Sequence, residues 1–138
     1  MLTPGTAIAY VDSSLLGSGL VDNAIVFSRT ENYGILAASP GYLVTQDELA
    51  EIRRIFADAG TGPSIQRARN DGFRVAGTTY KAVKGDSRSL YGRQGRQGIM
   101  VVNTNTAIFF VHYPESSSHS ETANLIEQLC DYLISVGY

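Results

Sequence analysis

Residues 72–138 read GFRVAGTTYKAVKGDSRSLYGRQGRQGIMVVNTNTAIFFVHYPESSSHSETANLIEQLCDYLISVGY. The run breaks into short stretches of strand-like composition separated by glycine and asparagine. Phe73–Ala76 and Thr79–Lys84 flank Gly77-Thr78, a pair suited to a tight hairpin turn. Ser87–Tyr91, Ile99–Val102 and Thr106–Tyr113 supply three more strands. Asn103-Thr104-Asn105 links the last two with residues that tolerate left-handed turns. The period then changes from strand to helix. Ser118 and Glu121 have capping-box spacing, and Leu125, Ile126, Leu129, Leu133 and Val136 follow as an apolar stripe. Antiparallel strands closed by one amphipathic helix predict an α+β fold.

The first seventy residues add to the same plan. Ile8, Val11 and Leu15 recur at helical spacing and predict a helix over 6–17, stopped by Gly17 and Gly19. Met1–Gly5 reads as a flexible leader. Val21–Ser28 and Tyr33–Ala38 read as strands around the polar turn Arg29-Thr30-Glu31-Asn32. Thr45 and Glu48 form a second capping box, with Leu49, Ile52 and Phe56 on one face behind it. Gly60, Gly62 and Pro63 end that helix. Ser64–Asp71, which carries Arg67 and Arg69, fits either a short helical turn or a loop. The expected sheet has about six or seven antiparallel strands.

Composition narrows the function. The 138 residues fit one domain spanning 1–138, long enough to bury about two-thirds of the unfolded surface. With 43 % hydrophobic and 17 % charged residues, disorder is excluded. A net charge of −2 argues against sequence-independent nucleic-acid binding, which needs a basic excess. The longest apolar runs, such as Ala107–Val111, fall far short of the roughly 18 residues that span a bilayer. The N-terminus lacks the basic and apolar regions of a signal peptide. One cysteine, Cys130, allows no internal disulfide, lies in an apolar helical face and fits a reducing cytoplasm.

No catalytic constellation emerges. Gly92, Gly95 and Gly98 match neither GxGxxG nor a P-loop, and read as a flexible connection between two strands. His112 and His119 have no cysteine or carboxylate at ligand spacing, so neither a metal nor a cofactor is expected. Ser116–Ser118 beside His119 lacks a nucleophile elbow and an orienting acid. Asp12, Asp22 and Asp47 lie in three separate segments. Lys81, Lys84, Arg88, Arg93 and Arg96 stand out instead, because they crowd into sixteen residues of an acidic chain. Two readings stay open for them: a solvated sheet face, or a positive patch for an acidic protein surface or a phosphoinositide headgroup.

Several segments together resemble profilin. AYVDSSLL (9–16) is similar to the TYVDxxL segment that opens many profilins. GFRVAGTTYKAVKGD (72–86) resembles the profilin hairpin, and GRQGRQGI (92–99) its glycine-and-basic connection, with Arg93 at a basic position. NTNTAIFFVHY (103–113) resembles the last hairpin. LIEQLCDYLISVGY (125–138) is similar to the C-terminus, including Asp131-Tyr132-Leu133 and Gly137-Tyr138. The match runs from Ala7 to the end and is specific in order and spacing.

The resemblance implies a central antiparallel sheet with the terminal helices packed together on one face and the middle helical region on the other. It also implies a monomeric, non-enzymatic cytoplasmic protein that binds monomeric actin and regulates its polymerisation. Carried over by position, the actin surface falls at Thr79, Lys81, Lys84, Tyr91, Arg93, Arg96, Asn124, Glu127 and Gln128. A phosphoinositide site would use Lys84, Arg88, Arg93 and Arg96. Profilins hold proline-rich peptides with two tryptophans and several tyrosines. This chain has no tryptophan. Ala7 and Leu36 take the tryptophan positions, and Tyr10, Leu36, Tyr132 and Tyr138 make a reduced platform for weak or selective proline-rich binding. Such departures mark a divergent member, with an archaeal relative of eukaryotes among the candidate sources. The competing assignment is a roadblock-type dimeric scaffold acting with small GTPases, which predicts self-association.

Overall fold

The computed structural model describes residues 2–30 and 32–138. Met1 of the expected leader and Glu31 of the expected turn lie outside them. The order of elements is helix α1 (Pro4–Ala9), strands β1 (Asn23–Ser28) and β2 (Ile35–Ala38), helices α2 (Gln46–Ala57) and α3 (Pro63–Asn70), strands β3 (Phe73–Val75), β4 (Thr78–Gly85), β5 (Ser89–Gln94), β6 (Gln97–Asn103) and β7 (Ala107–Tyr113), and helix α4 (His119–Ser135). Seven strands form one antiparallel sheet in the order β2-β1-β7-β6-β5-β4-β3.

The sheet separates two apolar layers. On one face Val26, Met100, Val102, Phe109 and Val111 pack against Ala7, Val11 and Leu15 and against Ile126, Cys130 and Leu133 of α4. On the other, Ile25, Phe27, Val101, Ile108 and Phe110 pack against Leu49, Ile52 and Phe56 of α2 and Ile65 of α3. The terminal helices therefore share one face and the middle helices cover the other, as expected. Strand β7 is buried along its whole length and Ile99–Val102 of β6 are buried too. This explains why they read as continuous apolar runs instead of alternating ones.

The N-terminal helix departs from the expected 6–17 element. It starts at Pro4, where proline suits a first helical turn, and Thr3 caps it through Thr6 N. A π-helical segment, Tyr10–Leu15, and a 3-10 turn, Leu16–Ser18, continue it. The wider turn selects Ala7, Val11 and Leu15 for burial and leaves Ile8 49 % exposed. The expected loose leader is instead anchored, because Leu2 is buried in the same layer.

Other boundaries shift locally. Ser64–Asp71 resolves as helix α3, opened by Pro63 and tied by Asp58, whose carboxylate accepts from Ser64 N at 2.5 Å and Ile65 N at 3.0 Å. The β3–β4 turn centres on Ala76-Gly77, both at positive φ, one residue before the expected Gly77-Thr78. The glycine-rich link between β5 and β6 is a two-residue hairpin turn, Gly95-Arg96, and no flexible loop. Gly95 supplies the positive φ at the first turn position. At Gly98 any side chain would strike the Tyr113 ring, so this glycine marks a close approach.

The Thr45–Glu48 capping box forms fully, whereas in α4 only the Ser118 half is made, with its hydroxyl accepting from Glu121 N. Leu125 and Leu129 of the expected α4 stripe are half-buried, and Val136 is 50 % exposed. Glu48 reaches further than its own helix. Its carboxylate accepts from Thr45 N (2.9 Å), Ala76 N (3.0 Å) and Gly77 N (2.9 Å), clasping the β3–β4 turn to the start of α2. Replacing it by alanine strands three amide donors at a partly wet site. Glu48→Ala is expected to cost about 1–3 kcal/mol in denaturant unfolding and to speed hydrogen exchange at Ala76 and Gly77. Unchanged exchange at both amides would mean that the clasp contributes nothing.

Candidate binding surface

Strand β4 alternates across the sheet. Tyr80 and Ala82 enter the layer under the middle helices, so Thr79 and Lys81 point to the opposite face, beside α4. A bulge then interrupts the β4–β5 register: Ala82 pairs with Gly92, but Lys84 pairs with Tyr91. The extra residue, Val83, has no opposite number and is 56 % exposed. The bulge returns Lys84 to the side of Lys81, although the two are an odd number of residues apart. Lys81 lies opposite Arg93 across the ladder, and Lys84 Nζ sits 5.0 Å from the centre of the Tyr91 ring. Arg96 stands at the tip of the next turn.

Helix α4 forms the wall of this face, and Glu127 fixes it there. Its carboxylate accepts from Ser89 Oγ at 2.8 Å and from the Tyr91 hydroxyl, and meets Arg88 Nη2 at 2.9 Å. Arg88 also reaches Asp131 Oδ1 at 2.7 Å and the Glu127 carbonyl at 3.2 Å. Burial and the Glu127 carboxylate hold the Tyr91 phenol well above its ordinary range. Behind them, burial pushes the Cys130 thiol up to about 12, with Glu127 adding to it, so this cysteine is inert packing.

The expected surface residues thus separate into two groups. Thr79, Lys81, Lys84, Arg93, Arg96, Asn124 and Gln128 are exposed. Among the described residues none of those four cations meets a carboxylate. Tyr91, 6 % exposed, and Glu127 are turned inward and hold the helix on the sheet. Arg88, expected in a lipid-headgroup site, is engaged by α4 and does not join Lys84, Arg93 and Arg96. The wall also includes a residue that sequence reasoning weighed only as a metal ligand or a base and did not place at this surface. His119 lies edge-on between Tyr91 and Tyr113 (5.7 Å to each), and its Nδ1 hydrogen-bonds the Tyr113 hydroxyl at 2.7 Å. Its serine-rich surroundings gave no signal, because the partners come from strands 6 and 28 residues away.

The remaining expected residues lie between the terminal helices. Tyr10, Tyr132 and Tyr138 are neighbours: partial burial raises the Tyr10 phenol, and the other two phenols add to the effect. Tyr138 is placed by the end of α4. Gly137 at positive φ directs its own N–H to Ile134 O and that of Tyr138 to Leu133 O, a Schellman ending. The Tyr138 main-chain oxygen then accepts from Thr106 N at 2.7 Å and Thr106 Oγ at 2.9 Å. Leu36 does not join the tyrosines. It is 8 % exposed and packs in the core layer with Ala7, so both expected tryptophan positions hold residues absorbed into the interior.

A curved antiparallel sheet with its terminal helices paired on one face and a cationic strand face beside the last of them defines a class of small binding domains. The profilin family model matches residues 7–138. The profilin of the fission yeast Schizosaccharomyces pombe is 38 % identical over 130 residues, covering 94 % of this chain and 97 % of that protein. Profilin-2 of Acanthamoeba castellanii is 36 % identical, covering 94 % and 96 %. A crystal structure of the S. pombe protein superposes with a TM-score of 0.84 over 95 % of this chain and 98 % of that one. The chain belongs to the profilin family, whose members are non-enzymatic actin-binding proteins. The match does not favour the roadblock-type assignment. Two solved complexes share the fold at low identity: LokiProfilin2 with rabbit actin (11 %, TM-score 0.70) and mouse profilin IIa with a double repeat from the FH1 domain of mDia1 (15 %, TM-score 0.71).

His119 offers a direct reading of the field at this surface. Burial lowers its pKa from the ordinary 6.5, and the Arg93 charge lowers it further. As pH falls through 6.5 the unfolded chain takes up this proton before the folded one does, so the group costs stability only on the acid side. An NMR titration is expected to place the His119 midpoint below 6.5, and Arg93→Gln to raise it while burial keeps it depressed. A midpoint indifferent to Arg93 would show that the guanidinium points away.

Proposed function

We propose that the chain binds monomeric actin through the β4–β5 face beside α4 and thereby slows spontaneous polymerisation. The observation that carries this reading is the division of charge at that face. Glu127 of α4 is consumed internally by Ser89, Tyr91 and Arg88, while among the described residues Lys81, Lys84, Arg93 and Arg96 meet no carboxylate, in a chain of net charge −2. Such a patch steers an acidic partner and fixes its orientation. A distant neighbour of this fold is recorded in complex with rabbit actin. Thr79, Asn124 and Gln128 border the cations as neutral hydrogen-bonding contacts, with Tyr91 and Glu127 holding the surface from beneath. Anionic phosphoinositide headgroups would compete for Lys84, Arg93 and Arg96. The protein works in the cytoplasm as a monomer, where its lone buried thiol stays reduced.

Polymerisation of monomeric actin, followed by fluorescence and sedimentation, tests the reading. The protein should lengthen the lag and lower the polymer formed. Arg93→Glu combined with Arg96→Glu should weaken binding at least tenfold, mostly through the association rate, with the melting temperature preserved. No effect of the unmodified protein on actin, whether eukaryotic or from its own source, would refute the assignment. Undiminished binding by the double variant would move the contact elsewhere.

Proline-rich segments are proposed to bind weakly or selectively between the terminal helices. Tyr10, Tyr132 and Tyr138 provide aromatic faces for a polyproline helix, but Ala7 and Leu36 leave no indole to stack on or to donate from. Titrating plain polyproline while following tyrosine fluorescence is expected to show no saturation at micromolar peptide. Micromolar saturation would mean that three tyrosines suffice.

A further inference from the structure

The turn between β6 and β7, residues 104–106, is braced from two sides. Thr104 closes it from within: its N–H donates to Ala107 O at 2.8 Å, and its buried hydroxyl accepts from Ala107 N at 3.0 Å. The chain leaving β1 braces it from outside. Arg29 N donates to Thr106 O at 2.8 Å, and Arg29 Nη1 donates to Thr104 O at 2.5 Å. Thr106 is thereby fixed to a strand pair at the centre of the sheet. Its remaining donors, the main-chain N–H and the hydroxyl, converge on a single acceptor, Tyr138 O, at 2.7 and 2.9 Å.

Tyr138 depends on that anchor more than the other two tyrosines between the terminal helices. Tyr10 lies in the π-helical segment and Tyr132 in α4, so the helices set their positions. Tyr138 lies past the end of α4, beyond Gly137 at positive φ, and its own N–H reaches back to Leu133 O at 2.8 Å. Its ring is half-buried against the terminal-helix layer, close to Tyr10. A residue outside regular structure loses conformational freedom on being ordered. Two donors from a rigid turn, meeting one oxygen, impose that order while the protein is free of ligand.

We propose that Thr106 is a positioning residue for proline-rich recognition. It touches no ligand and acts through Tyr138, whose ring it holds in the platform before a peptide arrives. A proline-rich segment brings little disorder of its own, so the ordering left to be done on binding is that of the protein's side chains. With no indole in the platform, one loose ring out of three is a large share of the aromatic surface. The inference rests on the proline-rich reading and adds to it the residue that fixes the third face. Asn103-Thr104-Asn105 reads in the sequence as a turn and nothing more, because the partner of Thr106 lies 32 residues further on.

NMR titration of the full chain with polyproline, taken into the millimolar range, tests it. Thr106→Val keeps the β-branch and the main-chain bond but removes the hydroxyl. It should weaken peptide binding about threefold and raise the mobility of Tyr138 in backbone relaxation, with the melting temperature and the β4–β5 resonances unchanged. Thr106→Ser restores the hydroxyl and should recover both the affinity and the order. Tyr138→Ala should weaken binding further than Thr106→Val does, and adding Thr106→Val to it should take nothing more away. Additive losses in the double variant, undiminished binding by Thr106→Val, or an equally ordered Tyr138 in that variant would overturn the positioning role alone. If polyproline shifts none of Tyr10, Tyr132 and Tyr138 in the unmodified protein, the proline-rich reading fails and the role of Thr106 fails with it.

Discussion

Strand β7 has no wet side, and the rest of the architecture follows from that constraint. Phe109 and Val111 enter one layer while Ile108 and Phe110 enter the other. A strand apolar on both sides must sit inside a sheet and be covered twice. One cover comes from the two ends of the chain, the other from its middle. This arrangement buries the partners of the cover helices at sequence separations that leave the outer strands, β4 and β3, only partly covered. The exposed cationic face on β4 and β5 is what remains when α4 stops short of the sheet edge.

The clasp formed by Glu127, Ser89, Tyr91 and Arg88 sets the character of that face. A carboxylate placed among four nearby cations would ordinarily pair with one of them and offset part of their charge. Here it is turned inward, where two hydroxyl donors and one guanidinium occupy it, and Asp131 takes the remaining reach of Arg88. The cations farther along the strand keep their charge for solvent or a partner. Orientation comes at little entropic cost, because the Tyr91 ring beneath Lys84 is already fixed.

Much of this was legible in the sequence, because many of its signals are local. Capping residues Thr45 and Ser118, the α4 stripe around Ile126 and Leu133, and the hairpin at Asn103-Thr104-Asn105 all act within a few residues. What escaped depends on contacts made at a distance. The shift from Ile8 to Ala7 as the buried position arises from a π-helical turn that no period of 3.6 reveals. Leu2 is ordered by a layer completed from the far end of the chain. Gly98 looks like a hinge until Tyr113 is found lying across it. Glu127 and Tyr91 have the composition of surface residues and acquire an inward role only when α4 meets β5. His119 was unreadable for the same reason.

The bulge at Val83 bears on how this surface can vary among relatives. In a regular strand, inserting or deleting one residue reverses every side chain beyond it and would send one lysine into the apolar layer. Here the ladder has already absorbed one unpaired residue, and the lysines on either side of it face the same way. Strand β4 can therefore lose that residue, in the lineage or by design, without trading a charged position for a buried one. Length is uncoupled from polarity at the strand that carries both lysines of the cationic face. A one-residue deletion, usually among the most disruptive changes in a sheet, becomes at this point a tolerated route by which the spacing of its charges can drift.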